Sequence, residues 1–308
     1  MPTTDAYTSI AGSPNFGPYR LQTVLLYSCT APHGPTSLFR ILSLCEIETF
    51  RATLTELPEI DGPCAQVDLA ALHRPLRVRW LRVGVPKRRR SSHPCPSPLL
   101  EGLRRCLEPG CIRELDVACV NWDAIEGAGA LLRDVGCNLT TLRLDMFRQM
   151  TEGKPSSDLA RVRHSHTSHK LEDTALDRWR VLNVSSCTEL ETFEFSFPSW
   201  GDDPDRSGSA CAKIVRLLPA GVRTIVLRLP EQMFEAVPPE YPRTPGLREV
   251  EEAVLEGKQE RLPELTRVVL SFVDYQEDMF ETWATIGNRV MRRLSREGFL
   301  HATVCGRR

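Results

Sequence analysis

The stretch "CNLTTLRLDMF", Cys137 to Phe147, places apolar side chains at Leu139, Leu142, Leu144 and Met146. One apolar residue, a gap of two and then strict alternation does not match the 3.6-residue period of an amphipathic helix. The alternation over its last five positions is that of a strand with one buried face. The same spacing fits "LQTVLLYS" from Leu21, "IETFRATL" from Ile47, "VRWLRVGV" from Val78 and "IRELDVAC" from Ile112. It fits again at "LTTLRLDM" from Leu139, "LETFEFSF" from Leu190, "VRTIVLRL" from Val222 and "LTRVVLSF" from Leu265, eight times in all. Successive starts lie 26, 31, 34, 27, 51, 32 and 43 residues apart, so most intervals suit one supersecondary unit per repeat and the long ones imply insertions.

Between the matches the period changes. "DAIEGAGALLRDVG" opens on an Asp suited to an N-cap and stops at Gly136, and "SACAKIVRLLPAG" ends in Pro-Ala-Gly. "GLREVEEAVLEGK" and "DMFETWATIGNRVMRRLSREG" carry apolar residues three and four apart. Strands alternating with helical crossovers of this length are parallel, and one repeated strand-helix unit stacks into a curved α/β solenoid. "FLHATV", after Gly298, reads as a closing strand.

Composition is compatible with this. A chain of 308 residues, 41% hydrophobic and 26% charged, is long enough to bury a large core. Its 39 basic and 40 acidic residues create no overall field for a polyanion or an anionic membrane. The start, "MPTTDAYTSIAGSPNFGPYR", lacks a basic segment followed by an apolar run and reads as a disordered tail over residues 1–18, ahead of one domain spanning 19–308. No apolar run approaches the roughly 18 residues a membrane span requires. Eleven cysteines, without a CxxC pair, fit a cytoplasmic or nuclear protein with free thiols. Cys45, Cys106 and Cys119 occupy apolar positions, where Cys acts as a small hydrophobe. In such a compartment the sequons at Asn138 and Asn183 have no glycosylation meaning.

With Leu139, Leu142 and Leu144 forming Leu-x-x-Leu-x-Leu, the chain resembles leucine-rich-repeat proteins over about residues 19–308. "SLFRILSLCEIETFRATL" and "LNVSSCTELETFEFSF" are similar, more narrowly, to the irregular repeats of fungal F-box/leucine-rich-repeat proteins. The resemblance implies a parallel sheet on the concave face, helices on the convex face, and recognition of a protein partner rather than catalysis. It also implies a substrate-recognition role in a cullin-type ubiquitin ligase, in which an N-terminal F-box binds the adaptor. Regular repeats place Asn or Cys three residues after the third apolar position. Here that place holds Cys29, Thr55, Pro86, Val120, Phe147, Pro198, Pro230 and Val273, so an irregular, partly open solenoid is expected.

An F-box is not recognisable. "LPEIDGPC" at Leu57 meets Asp61-Gly62-Pro63, which breaks the first helix that box requires, and "LPEL" at Leu262 leads into a strand pattern.

On a concave sheet the residues between the apolar positions face a partner. Their middle row reads Leu25, Arg51, Arg82, Asp116, Arg143, Glu194, Val226 and Val269. The alternating signs at Arg82, Asp116, Arg143 and Glu194 have two readings. One is a structural ladder of opposite charges, contributing about 0.2–1 kcal/mol per pair. The other is a binding surface, to which Trp80 and Asp145 add aromatic and polar anchors, because Trp and Arg dominate interface hot spots.

The remaining motifs are weaker. His164, His166 and His169 lie in a polar insertion at about 148–172 without Cys or carboxylate at recognised metal spacing, so no metal is expected. "KRRR", Lys87 to Arg90, reads as a solvated basic loop; its alternative is a nuclear signal on a scaffold or nucleic-acid-associated protein. "WGDDPDRSGS" reads as an acidic loop without calcium-loop spacing. GxSxG, Walker A and HExxH are absent, and Gly127-Ala128-Gly129 falls inside a helical pattern. No cofactor is implied, which leaves an unrecognised α/β hydrolase as the remaining enzyme reading.

Overall fold

The computed structural model describes residues 18–27, 35–53, 68–84, 97–119, 122–146, 179–197, 204–230, 246–273 and 280–305. The described strands are β1 (Tyr19–Tyr27), β2 (Cys45–Thr53), β3 (Arg77–Gly84), β4 (Glu114–Cys119) and β5 (Thr141–Met146). They continue with β6 (Thr192–Ser196), β7 (Thr224–Pro230), β8 (Arg267–Val273) and β9 (Leu300–Cys305). The helices are α1 (Pro35–Leu42), α2 (Ser97–Cys106), α3 (Trp122–Val135), α4 (Pro204–Val215), α5 (Leu247–Glu260), α6 (Phe280–Val290) and α7 (Arg292–Arg296). Each of the eight spaced patterns forms one strand, and "FLHATV" supplies the ninth.

All nine strands form one parallel sheet whose spatial order, β1 to β9, is the chain order. Parallel neighbours cannot be joined by a hairpin, so the chain leaves the sheet after every strand and crosses back before the next. The sheet does not close; β1 and β9 are its two edges. The expected α/β class with a parallel sheet is therefore present.

Register explains the core. Val24, Phe50, Leu81, Leu115, Leu142, Phe193, Ile225 and Val268 are successive cross-strand partners, and Leu26, Ala52, Val83, Val117, Leu144, Phe195, Leu227 and Leu270 form the next row. From β2 to β8 these side chains are buried and share one cluster with Leu100, Leu103, Ile125, Leu131, Leu132, Ile214, Val250 and Val254 of the helices. A one-residue slip in any strand would turn both rows outward, so burial of these side chains, about 1.5–3 kcal/mol each, holds the register. Leu139, Leu190 and Val222, the first apolar residues of their patterns, are fully buried just ahead of their strands.

The foreseen helices form as α3, α4, α5 and the pair α6 and α7, the last two separated at Met291. α1 and α2 were not foreseen. α2 hides its signal behind the Pro-rich "SSHPCPSP", although Leu99, Leu100, Leu103 and Cys106 have helical spacing and are buried. The acidic-loop reading of "WGDDPDRSGS" is corrected over its second half: Pro204 to Ser209 open α4, with proline at the first helical position, where no N–H is required. Two contacts fix the helices closely. A Cβ on Gly129 would stand 1.9 Å from the Val181 carbonyl oxygen, so only glycine allows α3 to meet the turn at Arg180–Leu182. Glu251 of α5 reaches α7, where Oε1 accepts the backbone N–H groups of Arg293 at 2.7 Å and Leu294 at 3.0 Å.

Cys45, Cys106 and Cys119 are free and buried, as their apolar positions suggest. Burial pushes the Cys106 thiol up to about 11 and the Cys119 thiol up to about 12, so neither is a nucleophile near neutral pH. Among the described residues no helix is long and apolar enough to cross a membrane.

Candidate functional site

The sheet face opposite the helices carries the expected row. Leu25, Arg51, Arg82, Asp116, Arg143, Glu194, Val226 and Val269 are consecutive cross-strand partners, and His301 extends the row onto β9. Parallel register sets these side chains about 4.8 Å apart, within reach of one another. Arg82 Nε stands 3.2 Å from Asp116 Oδ2, and Arg143 reaches the same oxygen at 3.5 Å from the other side. Arg143 Nε lies 3.8 Å from Glu194 Oε2, to which Arg228 Nε–H donates at 3.0 Å. The four charged residues expected to alternate thus form one continuous ladder, lengthened by Arg228 from the adjoining row. Among the described residues, the ion-pair partners of these five groups all belong to the ladder.

The ladder is not a loose surface array. Asp116 is 5% exposed, and burial raises its carboxyl above the ordinary range despite the lowering effect of Arg143 and Arg82. At the β1 end the face becomes apolar. Arg51 lies over the Trp80 ring, 4.9 Å from its centroid, a cation–π contact, and Leu25 is 65% exposed. Trp80 sits in the row beside the ladder, where Thr49, Trp80, Glu114, Thr141, Thr192 and Thr224 are successive partners.

The row on the other side runs Ala118, Asp145, Ser196, Arg228, Ser271 and Thr303. Asp145 is half-buried between two small neighbours. Burial raises its carboxyl and nearby Asp116 raises it further, against the lowering effect of Arg143, Arg82 and Arg228. Ser196 is 7% exposed, and its hydroxyl has no hydrogen-bond partner among the described residues; the same holds for Nε of Arg51 and of Arg143.

All six residues singled out in the sequence, Trp80, Arg82, Asp116, Arg143, Asp145 and Glu194, therefore lie on this one face of β3 to β6. Arg51, Arg228 and Ser196 join them and were missed. Arg51 stood in the row but outside the alternation of sign. Arg228 and Ser196 stand two positions beyond the middle row, where Asp145 was the one position considered.

Other surfaces are open clefts. One, of about 640 Å³, is lined by Arg20, Glu46, Glu48, Arg77 and Arg79 near the start of β1 to β3, and another, of about 730 Å³, by Arg248, Glu252, Arg289, Arg292 and Arg293 on the helical side. Among the described residues no group of three or more His, Cys, Asp or Glu is placed to hold a metal ion. His164, His166 and His169, the basic run Lys87 to Arg90 and the "LPEI" at Leu57 lie outside the described residues. No protein-family model matches the chain, and no curated protein matches it.

Proposed function

We propose that the chain is an irregular leucine-rich-repeat-like solenoid whose exposed sheet face recognises a protein partner without catalysis. The observation that supports this most is the ladder from Arg82 to Arg228: charged side chains of five strands, aligned by register and paired with one another. A purely structural sheet face needs no such array, since the desolvation of largely buried ion pairs such as these offsets much of their attraction. The adjoining Trp80, Arg51 and Leu25 supply an apolar and cationic anchor of the kind that dominates binding hot spots. The resemblance to F-box/leucine-rich-repeat proteins extends the reading to substrate recognition in a ubiquitin ligase, or to a relative lacking the adaptor-binding box.

The test is capture of partners by the tagged full-length chain from its own cells, set beside Arg82→Gln with Arg143→Gln and beside Trp80→Ala. Retained far-ultraviolet circular dichroism with at least tenfold loss of a discrete protein partner is the expected result. Equal capture by all three chains would refute recognition by this face. Recovery of a cullin and its adaptor would support the ligase extension, and a partner without them would remove it.

A further inference from the structure

We infer that Arg51, held over the Trp80 ring, is the place on this face that binds a side-chain carboxylate of the partner. The inference rests on the proposed role of the sheet face and identifies the chemistry recognised at its β1 end.

The signs of the middle row alternate from Arg82 onward and fail to do so at Arg51. Arg51 and Arg82 are direct cross-strand partners, so two guanidinium groups stand side by side, which weighs against the sheet. The other three arginines of this face have a carboxylate. Arg82 lies 3.2 Å from Asp116, Arg143 stands between Asp116 and Glu194, and Arg228 donates to Glu194. Arg51 has neither an ion pair nor a side-chain hydrogen bond among the described residues, and its Nε is buried without an acceptor. Leu25, its partner on the other side, brings no polar group. A carboxylate from outside would give this last arginine the counter-charge that the others already have.

Trp80 is the independent sign. The guanidinium carbon of Arg51 stands 4.9 Å from the ring centroid, so the cation is held in place by a group that supplies neither an oxygen acceptor nor a negative charge. A long side chain fixed in this way loses less freedom when a ligand arrives. The approach is open as well. In the row on the far side of Arg51 and Arg82 from Trp80, Thr53 and Gly84 are partners, and a Cβ on Gly84 would meet nothing nearer than Thr53 Oγ1 at 3.7 Å. A carboxylate fits this place better than a phosphate. Its two coplanar oxygens match two N–H groups of one guanidinium, and its single charge matches the single arginine left over. A phosphate dianion would need a second cation, and Arg82 already serves Asp116.

The experiment is a titration of the full-length protein with N-acetyl-glutamate N-methylamide, followed by nuclear magnetic resonance at the Trp80 indole N–H and the Arg51 backbone amide. Matched probes carry glutamine or phosphoserine in place of glutamate. Saturable shifts at both groups are expected with the glutamate probe. The affinity should be about tenfold or more weaker with glutamine, and weaker with phosphoserine. It should fall about tenfold or more in Arg51→Gln, and by a smaller factor in Arg51→Lys, which keeps the charge but not the paired donors. The glutamine probe asks the same question of the unaltered chain, so the result does not depend on how well either variant folds. Absence of saturable shifts, equal affinity for glutamine or in Arg51→Gln, or tighter binding of phosphoserine than of glutamate would overturn the carboxylate site. Loss of partner capture on substituting Arg82 and Arg143, with capture unchanged in Arg51→Gln, would likewise remove this site while leaving recognition by the sheet face standing.

Discussion

Glu251 is expected to hold the last helix of the fold in place, and replacing it tests how the far end of the sheet is closed. α7 begins after Met291, whose side chain offers no oxygen to the free N–H groups of the first turn. Glu251, 7% exposed on α5, supplies that oxygen from another element, accepting from Arg293 and Leu294, the second and third residues of the helix. Hydrogen bonds to a charged acceptor contribute about 1.5–3 kcal/mol each, and water entering from the cleft beside Glu251 would recover part of that. Glu251→Ala should therefore destabilise the protein by about 2–4 kcal/mol, whereas Glu251→Gln, which keeps an acceptor but loses the charge, should cost about 1 kcal/mol. For a domain of this size the Ala variant should melt about 5 °C or more below the parent. Urea denaturation gives the energies, and amide exchange at Arg293 and Leu294 gives the location. An Ala variant within about 0.5 kcal/mol of the parent, or unchanged exchange at those two amides, would refute the capping role.

Three further outcomes follow from the packing and the charges. Gly129→Ala, which ordinarily favours a helix by about 1 kcal/mol, should instead destabilise by about 2 kcal/mol or more in a thermal melt, because the new Cβ meets the Val181 carbonyl oxygen. Asp145 has a folded carboxyl held above its unfolded value, so its ionised form weighs against folding at neutral and higher pH, and that penalty fades as pH falls toward the unfolded value. Asp145→Asn should thus be more stable than the parent at pH 8, with the difference shrinking toward pH 4 in paired urea titrations. Glu101 behaves oppositely. Hydrogen bonds from Arg104 and Arg105 hold its carboxyl down to about 2 from 4.5, so its contribution is present at neutral pH and is lost as pH falls through about 2. Because the pair is a third exposed, Glu101→Gln should cost only about 1 kcal/mol at pH 7 and almost nothing near pH 2, by denaturation at the two pH values.

The strands were legible because each requires the same thing of its residues. Leu142 and Leu144 must alternate to reach the core, and Leu139 must stand three positions earlier, so one stretch revealed a spacing that located eight strands. Register then followed from aligning the patterns, and with it the row from Leu25 to Val269, including the neighbours of Asp116. The shorter helices were less legible. α1 has only two turns, and the apolar positions of α2 follow a proline-rich run that reads as a loop. The orphaned hydroxyl of Ser196 and the reach of Arg228 to Glu194 could not be read at all, because they depend on which rotamer each neighbour takes across the sheet. The surroundings of Asp145 are legible only once Ala118 and Ser196 are known to be its cross-strand partners.

Recognition by the sheet face is tested most directly by placing a photo-crosslinking phenylalanine derivative at position 80, in place of the Trp80 ring, in the full-length chain within its own cells. The same probe at Glu126 of α3 and at Glu249 of α5, both exposed on the helical side, provides the comparison. The partner should be crosslinked from position 80, and the product should disappear when Arg82→Gln and Arg143→Gln are added. Crosslinking of that partner from positions 126 or 249 and not from position 80 would contradict recognition by the sheet.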